Sequence, residues 1–201
     1  MDDQPITVAM TGASGMGYGV RLVSALLELD RRVDLLLSDA ARTVLEQELD
    51  LDWRGDVHQV SQIIHTYFDV DGNQLRYFGK DDWFAPQASG SGGRRSMVIC
   101  PCSMGSLASI AQGLSENLIE RAADVALKER FPLILVTRET PLSAIHLRNM
   151  LTLNEMGAIL LPASPGFYHK PQSIEALIDF MVGRILDQLN ISHQLLDRWG
   201  A

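Results

Sequence analysis

Ile6-Thr-Val-Ala-Met-Thr-Gly-Ala-Ser-Gly-Met-Gly-Tyr-Gly19 is the stretch whose reading decides the fold of this chain. It begins as a short apolar run, Ile6 to Met10, with the character of a buried β-strand. The run breaks at Thr11-Gly12-Ala13-Ser14-Gly15. Val20, Leu22, Val23, Leu26 and Leu27 then recur at helical spacing, which predicts an amphipathic helix from Met16 to about Leu29. A strand, a small-residue turn and a helix N-terminus in that order make an anion site. Unpaired N–H groups point out of the turn, and the helix dipole favours negative charge there. The glycines let a phosphate or a ring come close to the backbone.

The loop does not say which ligand. The pattern G-x-G-x-x-G runs from Gly15 through Gly17 but meets Val20, and from Gly17 through Gly19 but meets Leu22. No Gly-Lys-Ser/Thr follows, so the P-loop pattern fails as well. The reading is a phosphate-bearing ligand of unspecified kind. Its alternative is a tight turn with no ligand, since Gly and Ser are common in such turns.

The chain has 201 residues, of which 46% are hydrophobic and 21% charged, enough for one large α/β domain with a sizeable core. Its net charge of −8 argues against nucleic acid as a partner. An anionic ligand would therefore need locally gathered Arg and Lys. No charged segment followed by an apolar one marks a signal peptide. No apolar run approaches the roughly 20 residues that cross a membrane. The only cysteines, Cys100 and Cys102, lie two apart, which makes a disulfide implausible, and two sulfurs alone make no zinc site. They read as small buried residues at a strand end. The cytoplasm is the expected compartment, and no metal is expected.

Outward from the opening stretch, strands and helices alternate. Arg32 to Leu37 reads as a second strand, and Ser38-Asp39 caps a helix from Ala40 to about Leu49 that carries Glu46 and Glu48. Asp50 to Ile64 is polar and weakly helical. Asp71-Gly72-Asn73 signals a turn before a short strand, Leu75 to Phe78. Trp83 to Arg95 reads as a mobile loop, and its tryptophan marks it as a binding loop rather than a linker. Ser96 to Cys100 is a strand, after which Pro101-Cys-Ser-Met-Gly-Ser106 repeats the logic of the first loop: small polar residues opening a helix. Asn117 to Arg130 is a helix on which Arg121 and Lys128 lie two turns apart on one side; a solvated face is the plain alternative for that pair. Leu133 to Val136 is a strand leading to Arg138-Glu139. A helix spans about Leu142 to Met156, a strand Ala158 to Leu161, and a proline-bounded loop Pro162 to Pro171. Ser173 and Glu175 open the last helix, to about Leu189.

Alternation of this kind implies right-handed crossovers, a parallel sheet covered on both faces, and ligands at the carboxyl ends of the strands. Thr11 to Gly15, Ser38, Ser103 to Ser106, Arg138-Glu139 and Phe167-Tyr168 all follow strands and therefore meet on that edge.

Together, Met10-Thr-Gly-Ala-Ser-Gly15, Asp82-Trp83, Ala88-Ser-Gly90, Cys100-Pro-Cys-Ser103, Asn117 to Lys128, Arg138-Glu139, Pro165-Gly-Phe-Tyr168 and Arg198-Trp-Gly200 resemble the UbiX-type flavin prenyltransferases over nearly the whole chain. The resemblance implies a single Rossmann-like, doubly wound α/β flavoprotein domain over residues 1–201, assembled as a homododecamer. It implies transfer of the dimethylallyl group from dimethylallyl monophosphate to N5 and C6 of reduced FMN. The prenylated FMN would then serve a UbiD-type decarboxylase. By the same resemblance Gly12, Ala13, Ser14, Ser38, Ser103, Met104, Gly105, Ser106 and Arg138 contact FMN. Arg121, Lys128, Glu139, Tyr168 and Arg184 surround the substrate phosphate, while Trp83, Ala88, Ser89 and Trp199 border the prenyl group. Ser14 and Glu48 lie near the reacting flavin edge.

The chemistry agrees. Arg and Lys can stabilise the charge that develops on a departing phosphate without metal, Glu139 and Tyr168 can handle its proton, and tryptophan faces favour an electron-poor allylic carbon. Closing a ring at C6 needs a base, and Glu48, Glu139 and the phosphate all qualify. The competing readings are an FMN-dependent oxidative decarboxylase of cysteine-containing peptides and a non-catalytic flavin-binding module; the latter has no use for Arg121, Lys128, Glu139 and Tyr168. The large aromatic Trp199 so near the chain end predicts that the tail, about 191–201, docks on a neighbouring subunit.

Overall fold

The structure, a computed structural model, describes residues 4–196. Its elements alternate: β1 (Ile6–Met10), α1 (Met16–Glu28), β2 (Val33–Leu37), α2 (Asp39–Leu49), α3 (Val57–Phe68), β3 (Leu75–Phe78), β4 (Met97–Cys102), α4 (Met104–Ala111), α5 (Leu118–Glu129), β5 (Leu133–Thr137), α6 (Ala144–Glu155), β6 (Ile159–Leu160) and α7 (Ile174–Gln188). All strand pairs are parallel, in the order β3-β2-β1-β4-β5-β6. The order reverses between β1 and β4, and that switch point is where a doubly wound sheet opens a crevice for a ligand.

Strands covered on both faces have no polar side, so β1, β2, β4 and β5 are buried along their whole length. One face packs under α1 and α7 through Leu22, Leu26, Val182 and Ile185. The other packs under α4 and α5 through Leu107, Ala122, Ala123 and Ala126. Each such Leu or Ile contributes about 1.5–3 kcal/mol by leaving water.

Three buried strand positions among the described residues are polar. Asp34, fully buried in β2, accepts two hydrogen bonds from Arg76 at 2.8 and 2.9 Å and one from Arg95 at 3.1 Å. Burial pushes its carboxyl up, and the arginines pull it back. Thr7 of β1 and Thr137 of β5 are the others.

The Trp83–Arg95 segment departs from the mobile loop expected. Pro86–Ala88 and Gly90–Gly92 form two 3₁₀ turns, and Gln87, Ala88 and Arg95 are buried. Arg95 donates to the Gly92 carbonyl while bonded to Asp34, so the second turn is tied to the sheet. A lone Asp in the apolar run Val33 to Leu37 was the signal for such a buried cation. The weakly helical stretch is also firmer than expected: Asp56 and Gln59 close a capping box at the start of α3.

The glycines of the opening stretch have packing roles. A Cβ on Gly19 would stand 2.3 Å from the Cys100 carbonyl oxygen, and one on Gly12 would stand 2.4 Å from Ala40 Cβ. Glycine is what lets α1 lie against β4 and the first loop lie against α2.

Candidate functional site

The carboxyl edge at the switch point is built from two loops stitched by one hydroxyl. Thr11, 1% exposed, donates from Oγ1 to the Pro101 carbonyl at 3.0 Å and accepts from the Ser103 N–H at 2.8 Å. The loop after β1 and the loop after β4 are therefore held as a unit. Thr11 had no assigned role in the sequence reading, because a threonine ending a strand has no distinctive pattern.

Both helices entering this edge begin at N-termini, but only one is open. At α4, Ser103 Oγ accepts from the Ser106 N–H at 3.2 Å, and its own hydroxyl donates to Ser106 Oγ at 3.1 Å. The N–H groups of the first turn, on Met104 and Gly105, have no carbonyl partner inside the helix. Ser38 lies alongside, its Oγ accepting from Ala41 at 3.0 Å at the start of α2.

The N-terminus of α1 differs from the anion site expected there. Its N-cap, Gly15, is in the left-handed region at φ 102° and offers no side chain. The Glu48 carboxylate takes that place, accepting from Gly15 at 2.9 Å and from Met16 at 2.9 Å. α2 lies across the carboxyl edge, so its last turn reaches α1. The anion on this helix is the protein's own, and a second anion there would meet its charge. Burial alone would raise the Glu48 pKa. The Ser14 hydroxyl, the Met16 and Gly15 N–H groups and the Arg138 charge outweigh burial and hold the carboxyl below the ordinary glutamate range. A glycine N-cap with no acid in the first helical turn was the signal that a distant anion would be needed.

Gly12, Ala13, Ser14, Ser38, Glu48, Ser103 to Ser106, Arg138 and Glu139 thus meet on one edge. Gly12 and Ser14 are exposed and Ala13 is buried. Arg138 is half-buried, and its Nε makes no hydrogen bond among the described residues. Exposed Glu139 accepts from the Thr140 N–H at 3.0 Å. Tyr168 is 60% exposed, its ring edge-on to Phe180 at 5.8 Å.

The expected phosphate clamp is not gathered in one chain. α5 starts at the carboxyl edge, where the Leu118 N–H donates to Lys80. It ends beside the start of β4, where the Met97 N–H donates to Pro132 at 2.9 Å. Lys128 therefore lies at the amino edge, paired with Glu129. Arg121 donates to the Ala88 carbonyl at 3.0 Å and to Asp124 at 2.8 Å. Arg184 sits on α7, across the sheet, paired with Asp187 at 2.8 Å. The expectation that the cations gather at the ligand edge of their own sheet is overturned for Lys128 by the direction of its helix. Arg121 with the Ala88 carbonyl, Ser89 and Lys128 instead lie along the α5 flank. Trp83 is 47% exposed, and neighbouring Phe84 is fully exposed.

Residues 191–196 pack on their own α7: His193 Nε2 lies 3.2 Å from Asp187 Oδ1, and a Cβ on Gly183 would meet Leu196 at 2.7 Å. Trp199 lies outside the described residues. Both cysteines are free and buried, and burial pushes the Cys102 thiol up to about 12. Among the described residues no group of three or more His, Cys, Asp or Glu could hold a metal, and no helix is long and apolar enough to cross a membrane.

The Flavoprotein family model matches residues 1–186. The flavin prenyltransferase UbiX of Pseudomonas aeruginosa is 53% identical over 195 residues, covering 97% of this chain and 93% of that protein. Among solved structures, AnUbiX (PadA1) in complex with FMN and dimethylallyl pyrophosphate superposes with a TM-score of 0.86 at 40% identity, covering 98% of each chain. A dodecameric FMN-dependent Ubix-like decarboxylase from Escherichia coli O157:H7 superposes with a TM-score of 0.85 at 37% identity, covering 98% of this chain and all of that one. With its switch-point crevice and its near full-length likeness to these proteins, the chain belongs to the Flavoprotein family and, within it, to the UbiX-type flavin prenyltransferases.

Proposed function

We propose that this protein transfers the dimethylallyl group of dimethylallyl monophosphate to N5 and C6 of reduced FMN, and that it does so without metal. The observation that carries the reading is the carboxyl edge itself: an open α4 N-terminus, four serines and an Arg138 Nε without a partner among the described residues, stitched together by Thr11. These residues fit a flavin mononucleotide. Serine hydroxyls and helix N–H groups suit a phosphate, Arg138 suits a ring carbonyl or a phosphate oxygen, and Gly12 and Gly105 leave room for close approach. The reduced flavin supplies electron-rich N5 and C6.

The side chains of the protein do the rest. Ser14 holds Glu48 ionised beside the reacting edge, so Glu48 is a poorer proton acceptor than an ordinary glutamate. Glu48 is then a poor acceptor for the C6 proton, which leaves Glu139 and the leaving phosphate as the candidates. Arg121 and Lys128 neutralise the departing phosphate, Arg184 adds charge, and Tyr168 with Glu139 passes the proton. Trp83, Ala88 and Ser89 wall the prenyl group, joined by Trp199.

The two clusters of one chain, at the carboxyl edge and along the α5 flank, become one site when the flank of one copy faces the edge of another. A dodecamer of the kind named for the E. coli relative would bring copies together in this way. The product would be handed to a UbiD-type decarboxylase, and the cytoplasm, where free thiols persist, is the compartment this reading assigns.

The test is the mass of the flavin after anaerobic incubation with dimethylallyl monophosphate and reduced FMN, with and without a strong chelator. A gain of one dimethylallyl unit in both conditions is expected. No gain overturns the reading, and a gain only without chelator overturns its metal independence.

A further inference from the structure

Gln87 is the middle residue of the first 3₁₀ turn and is 2% exposed. Neither its amide oxygen nor its amide nitrogen hydrogen-bonds to another described residue. Thr7 is fully buried on β1, and its hydroxyl is likewise unpaired. Both line one small cavity between the two turns, α5 and the amino half of the sheet, walled also by Met97, Val125 and Phe131. About 10 Å³ of it is open to the centre of a water molecule, roughly what one water occupies and too little for a ring or a prenyl chain. Buried polar atoms left unpaired are costly, and where they converge on a space of this size the usual occupant is a structural water.

We propose that Gln87 and Thr7 hold one such water, and that Gln87 is thereby a positioning residue for the allylic substrate. The two turns of the segment are anchored differently. The second is tied to the sheet through Gly92, Arg95 and Asp34. The first carries Gln87, which lines the cavity together with Thr7 of β1. The residue after Gln87 is Ala88, whose carbonyl accepts from Arg121 Nε at 3.0 Å. Ser89, the next, lines the cavity although the residue is exposed. Water between Gln87 and Thr7 fixes the rotation of the first turn. That rotation sets where the Ala88 carbonyl points, and so where the Arg121 guanidinium is held. This inference rests on the assignment of Ala88, Ser89 and Arg121 to the allylic substrate made above.

The experiment uses the assembled protein with FMN. Gln87→Leu keeps most of the volume and removes both polar atoms. It should leave FMN affinity and particle mass unchanged while kcat/KM for dimethylallyl monophosphate falls up to about 10²-fold, the scale of a roughly 1 Å misplacement. Thr7→Val should act in the same direction, and Thr7→Ser, which keeps the hydroxyl, should stay near the parent. The Thr7→Val and Gln87→Leu losses should combine to less than their product, because both remove the same water. An unchanged kcat/KM in Gln87→Leu overturns the proposal, and so does a parallel loss of FMN binding and assembly, which would mean a structural role. A high-resolution crystal structure of the parent should show a water bonded to both residues, and a dry cavity overturns the water site whatever the kinetics. If the parent itself transfers no prenyl group, the substrate reading falls and the positioning role with it, while the density still decides the water.

Discussion

The Glu48 carboxylate sits on the N–H of Met16 at 2.9 Å, so α2 caps α1 across 32 residues of sequence. This carboxyl is held below its ordinary value, so the folded state binds fewer protons there than the unfolded chain does. Its stabilising contribution is complete above the ordinary glutamate value of 4.5 and is lost as pH falls through the lower folded value. Glu48→Ala should cost about 1 kcal/mol at pH 7, the usual worth of an N-cap, and the gap to the parent should narrow below pH 4.5. Urea unfolding at fixed protein concentration across pH 3.5–7 reads it. Inorganic phosphate should also stabilise the variant more than the parent, since the vacated N-terminus can take an anion. A gap that does not change with pH would refute the capping role.

Ser14 holds the same carboxylate from the other side. On the proposed reading FMN has other holders at the α4 N-terminus, so Ser14→Ala should retain flavin while product formation slows about 10–10² fold. Retained flavin absorbance together with single-turnover rates decides it. A variant that emerges without flavin would show that Ser14 binds the cofactor instead of tuning the chemistry.

Thr11→Val keeps the shape of the side chain but leaves the part-buried Ser103 N–H without its acceptor at 2.8 Å. An orphaned buried donor costs about 1–3 kcal/mol. On the proposed reading both loops bear on FMN, so stability and flavin affinity should drop together. Thermal unfolding with and without FMN separates the two effects. Full flavin affinity in Thr11→Val would show that the stitch is not needed to hold the site.

How far the sequence carried these conclusions depended on the reach of each interaction. The alternation of strands and helices, the switch-point loops and the serines on them follow from local pattern, and all stand where that pattern predicts. What escaped it were partners far apart in the chain: Glu48 on Gly15, Arg95 on Asp34, Ser103 on Thr11. The first two left a local anomaly, a helix without a capping side chain and an acid inside an apolar strand, whereas Thr11 left none. The anomaly says that a partner exists and does not name it. Lys128 failed for another reason. Spacing put it correctly on one side of α5 with Arg121, but only the direction of the helix decides which edge of the sheet that end reaches.

Gly19→Ala tests the packing of α1 on the sheet. The added methyl would stand 2.3 Å from the Cys100 carbonyl, a backbone atom that cannot swing aside. Overpacking of this kind costs about 1–3 kcal/mol. Denaturant unfolding should show a lower midpoint with an unchanged slope. A midpoint equal to the parent's would mean that α1 can move off β4 freely, which would undo the close-packing role given to this glycine.

The last prediction concerns the two separated clusters. Ser14 and Glu48 lie at the carboxyl edge, whereas Lys128 lies at the far end of α5. If one copy supplies the edge and another the flank, Ser14→Ala and Lys128→Ala damage different halves of each site. Lys128→Ala alone should keep FMN and lose about 10²–10³ in rate, as when one preformed electrostatic donor is removed. When the two variants are co-expressed and assemble at random, some sites combine an intact edge from a Lys128→Ala copy with an intact flank from a Ser14→Ala copy. With equal amounts these are about one quarter of all sites, so turnover should recover to about a quarter of the parent's in mixed assemblies. Homogeneous assemblies mixed after purification, without subunit exchange, should show no recovery. Single-turnover prenylation in the three preparations measures it. If co-expression restores nothing, both halves belong to one chain, and the flank of α5 is a solvated face.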